Sequence, residues 1–124
     1  MTSNPGAAVD RSVIDGYRTM ADDAFVAGIV EQYLTEAAAS VADIEAAVTA
    51  GAAARLAEAA HSLRGASATI GARTVSALCA EIEELARRGD LTGVANLCAA
   101  LAFEFARARD DLRALLAGGG DAIN

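Results

Sequence analysis

The chain has 124 residues and a formal net charge of −7, a length that suits one domain with a core of its own. The acidic balance disfavours DNA, RNA or an anionic membrane surface as a partner, because a basic face binds those ligands. A partner protein or a small molecule is expected instead.

Composition predicts an all-α protein. Only 4% of the residues are aromatic, Trp is absent, and β-branched residues are scattered rather than gathered in alternating runs, so strands have little to form from. Two thiols, Cys79 and Cys98, fall on apolar stripes of separate predicted helices without metal-type spacing. We expect buried, reduced cysteines and no bound metal or cofactor.

The N-terminus does not look like a secretory signal. Residues 1–9 lack a basic start followed by an apolar run, and no window is apolar enough to span a bilayer. A cytoplasmic protein is expected. We predict a disordered N-terminus over residues 1–9, one helical domain over residues 10–117, and a flexible tail over residues 118–124.

Five helices follow in chain order. Asp10 can cap a short helix that ends near Met20, and Asp22 or Asp23 can cap a long amphipathic helix that ends near Ala50. Gly28 inside this second helix implies either a bend or a closely packed backbone. The remaining helices are predicted at residues 52–70, 72–88 and 91–117, with glycines at positions 51, 71, 89 and 118 as stop signals.

Short connections decide the predicted topology. Helices joined by turns of a few residues run antiparallel to their neighbours, since no slack remains for a crossover. The sequence therefore predicts an antiparallel up-down-up-down four-helix bundle with a short N-terminal cap helix.

The third helix carries the only histidine of the chain, His61. At 100° per residue, the core face holds positions such as Leu63 and Ser67, and His61 points away from it. The residues predicted within about 60° of His61 on the wheel are Ala57, Arg64, Gly65 and Ala68. An exposed imidazole among mostly small side chains is open to the approach of a partner.

This stretch resembles the histidine-containing phosphotransfer (HPt) family of two-component phosphorelays. The family pattern has a histidine, a basic residue three positions on, glycine at four, serines often at five and six, and glycine at ten. Here these positions hold His61, Arg64, Gly65, Ala66, Ser67 and Gly71. The chain departs from the pattern where Arg64 replaces the commoner Lys and where Ala66 replaces the first serine. The resemblance covers residues 10–117.

The resemblance implies that His61 accepts a phosphoryl group from an aspartate of a response-regulator receiver domain and donates it to another. The receivers would be free or part of a hybrid histidine kinase. Mg²⁺ would belong to the receiver, no autokinase activity would be present, and the chain would act as a monomer.

Elementary chemistry supports roles for these residues independently of the resemblance. An imidazole in water is mostly uncharged near pH 7 and therefore nucleophilic. Arg64, one turn along, can neutralise phosphoryl oxygens, and Gly65 has no side chain to hold a partner away; with Ala57 and Ala68 it forms the predicted docking surface. Ser67 and Gly71 are expected to support the structure. Glu58, three residues before the histidine, is a candidate to orient the ring.

Two other functions are open to a helical protein with an exposed histidine. The dimerising domain of a histidine kinase commonly has an acidic residue directly after its histidine and a proline four positions on. Here those positions hold Ser62 and Gly65, and no nucleotide-binding domain follows. The other alternative is a non-catalytic helical adaptor that binds receiver or kinase domains.

Overall fold

The computed structural model describes residues 8–118, and within them regular structure is entirely helical. The helices are α1 (Arg11–Met20), α2 (Asp23–Ala50), α3 (Ala53–Ile70), α4 (Arg73–Arg87) and α5 (Val94–Ala117).

Polar caps begin α1 and α2, and glycines end α2 and α3, as the sequence predicts. The Asp10 carboxylate accepts a hydrogen bond from the Ser12 N–H, and the Asp22 carboxylate accepts one from the Phe25 N–H. Such bonds satisfy amide groups that have no partner inside the helix. At the other ends of α2 and α3, Gly51 and Gly71 adopt left-handed conformations, which glycine reaches without a steric cost.

The four long helices enclose one core. α2 packs against α3, α3 against α4, and α4 against α5, while α5 returns to contact α2. The largest fully buried side chains come from all five helices: Ile14, Val26, Val30, Ile44, Leu56, Leu63, Ile70, Val75, Ile82, Val94, Leu101 and Leu112. Burial of this apolar surface is the main favourable contribution to folding.

The short helix α1 is attached through main-chain carbonyls of its neighbours. The Asp10 N–H donates to the Gly71 carbonyl at 2.8 Å, the Tyr17 hydroxyl to Thr69 at 3.0 Å, and the Arg18 guanidinium to Leu115 at 2.6 Å. A Cβ atom on Gly71 would lie 2.9 Å from the Asp10 carbonyl oxygen. Gly71 therefore both ends α3 and leaves room for the segment that leads into α1.

Two predicted boundaries were wrong. Ala8 and Val9, assigned to a disordered N-terminus, are buried, because they pack with the apolar core ahead of α1. The last helix begins at Val94 instead of near residue 91, since the Asp90 carboxylate binds the Thr92 N–H and Gly93 adopts a left-handed conformation. The rest of the predicted tails, residues 1–7 and 119–124, lies outside the described residues.

Other expectations concern single side chains. Cys79 and Cys98 are buried free thiols, as predicted. Gly28 lies in an uninterrupted α2 with open space around its Cα, so close backbone packing does not explain it. No helix in the described part of the chain combines the length and apolar character required to cross a membrane.

Candidate functional site

The inward and outward faces of α3 are as the helical wheel predicts. Leu63 and Ser67 are buried, whereas the His61 side chain is 58% exposed. The helix geometry causes this separation, because residues two positions apart on a helix point to different sides. His61 is thus displayed on the outside of the structure at the middle of α3.

The ring of His61 is held by a carboxylate from the next helix. Its Nδ1 atom lies 2.9 Å from Oε2 of Glu83 on α4, and the Glu83 side chain is only 8% exposed. When Nδ1 carries the proton and donates it in this bond, Nε2 keeps its lone pair. Nε2 is then the nitrogen available for reaction.

Glu83 also contacts two arginines, Arg87 through one carboxylate oxygen and Arg64 through the other. Oε2 accepts hydrogen bonds from Nε and Nη2 of Arg87, the former at 2.9 Å, in addition to the bond from His61. Oε1 lies 3.2 Å from Nε of Arg64 but forms no aligned hydrogen bond. Arg87 is therefore the better-bound arginine and Arg64 the more loosely held one.

These contacts keep Glu83 ionised. Burial raises the pKa of the Glu83 carboxyl, but the hydrogen bonds from Arg87 and His61 and the charge of Arg64 outweigh it, so the net pKa is lowered. A charged acceptor forms a stronger hydrogen bond with the ring than a neutral one. Glu83 can therefore fix the orientation of the imidazole.

Arg64 lies where the sequence places it, beside the histidine. One of its terminal nitrogens, Nη2, is 3.2 Å from Nδ1 of His61. A protonated Nδ1 donates to Glu83 and cannot also accept a hydrogen bond from Arg64. The shorter contact, to Glu83, therefore decides that Nδ1 is the ring nitrogen that carries the proton. Arg64 is partly exposed, with 42% of its side chain accessible, and its guanidinium is free to reach a group bound at the ring.

The surface beside His61 is open at two of the three predicted docking positions. Gly65 and Ala68 are exposed, and a Cβ atom on Gly65 would meet no atom within 4 Å. The placement of Ala57 on this face was wrong, because Ala57 is only 5% exposed. It lies one turn before His61, at the edge of the outward arc, where the packing of neighbouring helices covers it.

The two predicted supporting residues have structural contacts. The Ser67 hydroxyl, fully buried, forms a 2.7 Å hydrogen bond with the Tyr33 hydroxyl of α2. This bond satisfies two buried polar groups that would otherwise be costly. Gly71 ends α3 with φ at 90°. These contacts fix the inward side and the end of the helix that carries His61.

Glu83 and Arg87 belong to the site but were not predicted from the sequence. The sequence indicates Glu58, on the histidine's own helix, as the candidate to orient the ring. The structure gives that contact to Glu83. A signal was present: His61 lies ten residues before Gly71 and Glu83 twelve after it, so a tight antiparallel hairpin brings them to the same level.

The described residues offer no group of three or more His, Cys, Asp or Glu side chains that could hold a metal ion. The site instead contains one nucleophilic ring, one orienting carboxylate and two arginines. An arrangement of this kind suits transfer of an anionic group to nitrogen, in which positioning and charge neutralisation account for most of the catalysis.

Comparison with known proteins identifies the family and the fold. The sequence matches the Hpt domain family over residues 28–118. Histidine-containing phosphotransfer protein B (HptB) from Pseudomonas aeruginosa PAO1 is similar in structure, with a TM-score of 0.85, 28% identity, and coverage of 93% of this chain and 97% of its own. The histidine-containing phosphotransfer protein ZmHP2 from maize shares the fold, with a TM-score of 0.78, 21% identity, and coverage of 89% and 90%. No curated protein matches the chain.

The all-helical fold is that of histidine-containing phosphotransfer proteins. The chain belongs to the Hpt domain family and is a histidine phosphotransfer protein of two-component phosphorelays. Proteins of this family are phosphocarriers that work with response-regulator and kinase partners.

Proposed function

We propose that His61 is the phosphoryl-carrying residue of this protein and that it exchanges the group with aspartates of receiver domains. The single observation that carries this proposal is the exposed ring whose Nδ1 is bound to Glu83 at 2.9 Å. That bond directs the lone pair of Nε2 outward, toward an incoming partner.

The phosphoryl transfer requires no proton to leave the ring. The Nε2 lone pair forms a bond to phosphorus while the phosphorus–oxygen bond of the receiver's aspartyl phosphate breaks, and the electron pair stays on the aspartate oxygen. Nδ1 keeps its proton, and the positive charge that develops on the ring lies beside the Glu83 carboxylate. The reverse sequence returns the phosphoryl group to another aspartate.

Arg64 and Gly65 have separate roles in this proposal. Arg64 leaves the weakly bound Oε1 of Glu83 and neutralises equatorial oxygens of the transferred group. Gly65, with Ala68, lets the receiver approach the ring closely. Glu83 orients the ring, and Ser67 and Gly71 support the helix. Mg²⁺ belongs to the receiver in this scheme and not to the present chain.

The proposal also covers the location, oligomeric state and helix topology of the protein. We infer a cytoplasmic monomer without autokinase activity. We also infer that the long helices run up-down-up-down. Tyr33 in the first half of α2 bonds Ser67 in the second half of α3, and Glu31 pairs with Arg113 near the end of α5 at 3.6 Å; both contacts fit antiparallel neighbours.

The test is incubation with a phosphorylated receiver domain in the presence of Mg²⁺. We expect acid-labile, base-stable phosphate on the wild-type chain and none on His61→Gln. The substitution removes one contact of Glu83 but leaves both arginines on that carboxylate, so circular dichroism and thermal unfolding serve as controls for folding. Size-exclusion chromatography with light scattering tests whether the protein is a monomer.

The alternatives give different results in the same experiment. Phosphate taken up from ATP alone would indicate a kinase. A receiver that binds without transferring its phosphoryl group would indicate an adaptor. Either result would contradict the role proposed for His61.

A further inference from the structure

The exposed arginine at the end of α4, Arg87, shares an oxygen atom with the histidine ring. Oε2 of Glu83 accepts the Nδ1–H of His61 and two N–H groups of Arg87. Arg64 contacts the other oxygen, Oε1. The two arginines are therefore not equivalent, because only Arg87 competes with the ring for the same acceptor.

This competition has a direct consequence for the charge of the ring. A buried carboxylate in contact with Nδ1 stabilises the imidazolium, and an imidazolium has no lone pair with which to attack phosphorus. A guanidinium bound to the same oxygen offsets part of that carboxylate's charge. Arg87 thus opposes protonation of His61 while leaving the orienting hydrogen bond in place.

We propose that Arg87 is a positioning residue of the phosphotransfer site, which holds Oε2 of Glu83 and so limits how strongly that carboxylate favours the charged form of the His61 ring. Arg64 can then move to the phosphoryl group without leaving Glu83 uncompensated. The inference rests on the proposed role of His61 and adds a division of labour between the two arginines.

Arg64 also lies against the ring, with Nη2 3.2 Å from Nδ1, so both arginines oppose a charged ring, Arg64 from beside it and Arg87 through Oε2 of Glu83. Cys79 on α4 is close to Glu83, but burial raises the pKa of its thiol to about 12, so it stays neutral. The side chains that act on the Glu83 carboxylate are those of Arg87, His61 and Arg64, and Arg113 of α5 pairs with Glu31 of α2. The charge on Glu83 is therefore balanced from α3 and α4.

A matched control lies in the next position. Arg88 is 62% exposed in its side chain and pairs with Glu84 at 3.9 Å, while Arg87 is 58% exposed. Removal of either arginine changes the net charge equally and disturbs little packing. Only Arg87→Ala should act on the ring.

The experiment uses the fact that the tag-free chain has a single histidine. In an NMR pH titration of the unphosphorylated protein with labelled histidine, Arg87→Ala should raise the ratio of imidazolium to imidazole about threefold at a fixed pH. Arg88→Ala should match the wild type, and Arg87→Lys should restore most of the wild-type ratio.

The same variants give a kinetic readout. The pH at which phosphoryl uptake from a phosphorylated receiver rises should move upward by about half a unit in Arg87→Ala and stay in place in Arg88→Ala. Identical titrations and profiles for the two alanine variants would overturn the inference while leaving the role of His61 intact. Absence of phosphorylation in the wild type would instead refute the proposed function, and the ring titration would still decide whether Arg87 controls its charge.

Discussion

The two sides of α3 satisfy their polar groups in opposite ways. On the inward side, Ser67 and Tyr33 form a neutral hydroxyl pair in the core, and burial raises the pKa of Tyr33 from its ordinary 10.0 to about 12, so the pair stays uncharged at neutral pH and well above it. On the outward side, His61 meets a charged carboxylate at the edge of the helices.

The difference separates stability from reactivity within one helix. A neutral buried pair has no charge to compensate and contributes a fixed geometry. A charged cluster at the edge can change partners when a ligand arrives. Substitutions on the inward side should therefore change unfolding, and those on the outward side should change phosphotransfer.

The largest expected effect is on the inward side. Leu63→Asp places a charge without a partner at a site that is 1% exposed, and it should destabilise the protein by about 4 kcal/mol or more. Urea unfolding followed by circular dichroism measures the change. Ser62→Asp, one position away on an exposed site, is the control and should be nearly neutral; equal loss in both would reverse the assignment of the two faces.

The next effect is on the outward side. Gly65→Leu should lower the rate of transfer from a receiver about 100-fold, because a bulky side chain would hold the partner away from the ring. The fold should be retained or slightly stabilised, by up to about 1 kcal/mol. Gly28→Leu on α2, another exposed glycine with open space around it, provides the comparison. If Gly65→Leu accepted the phosphoryl group as fast as the wild type, this position would not belong to the docking surface.

A smaller change tests the hydroxyl pair. Ser67→Ala leaves the Tyr33 hydroxyl buried without its partner and should cost about 1–3 kcal/mol. Phosphotransfer should be unaffected at temperatures where the variant is folded. Adding Tyr33→Phe should recover part of the loss, and a double-mutant cycle measures the coupling. Additive effects would mean that the hydroxyl bond contributes nothing to stability.

The smallest effect is a dependence of stability on pH. The pKa of Glu83 is lowered from the ordinary value of 4.5 in the folded state. Its contribution to the free energy of unfolding is therefore complete above that value and is lost as pH falls through the lowered one. The free energy of unfolding of the wild type and of Glu83→Gln is measured from neutral pH to below 4.5. Plotted against pH, the two free energies should converge in acid. Parallel curves would exclude this linkage.

Sequence patterns predicted the parts of the molecule that depend on local rules. Apolar periodicity and capping residues located the five helices, and the wheel placed Leu63 inside and His61 outside. The start of α5 was missed because the turn before it depends on the backbone conformation of Gly93. The burial of Ala8 and Val9 was missed because it depends on contacts distant in sequence.

The site was predicted only as far as one helix extends. Arg64 and Gly65 lie on the same helix as His61, so spacing alone was enough to place them. Glu83 and Arg87 come from another helix, and their contact with the ring depends on how α3 and α4 pack. Ala57 was misplaced for the same reason, since the wheel describes a single helix without its neighbours.

The attachment of α1 has a consequence for sequence variation in this protein. Its hydrogen bonds from Tyr17 and Arg18 end on the backbone oxygens of Thr69 and Leu115, which every amino acid possesses. Replacing the exposed Thr69 side chain therefore leaves the N-terminal helix tethered. Side chains at these two positions can therefore vary among sequences without loss of the bonds that attach α1.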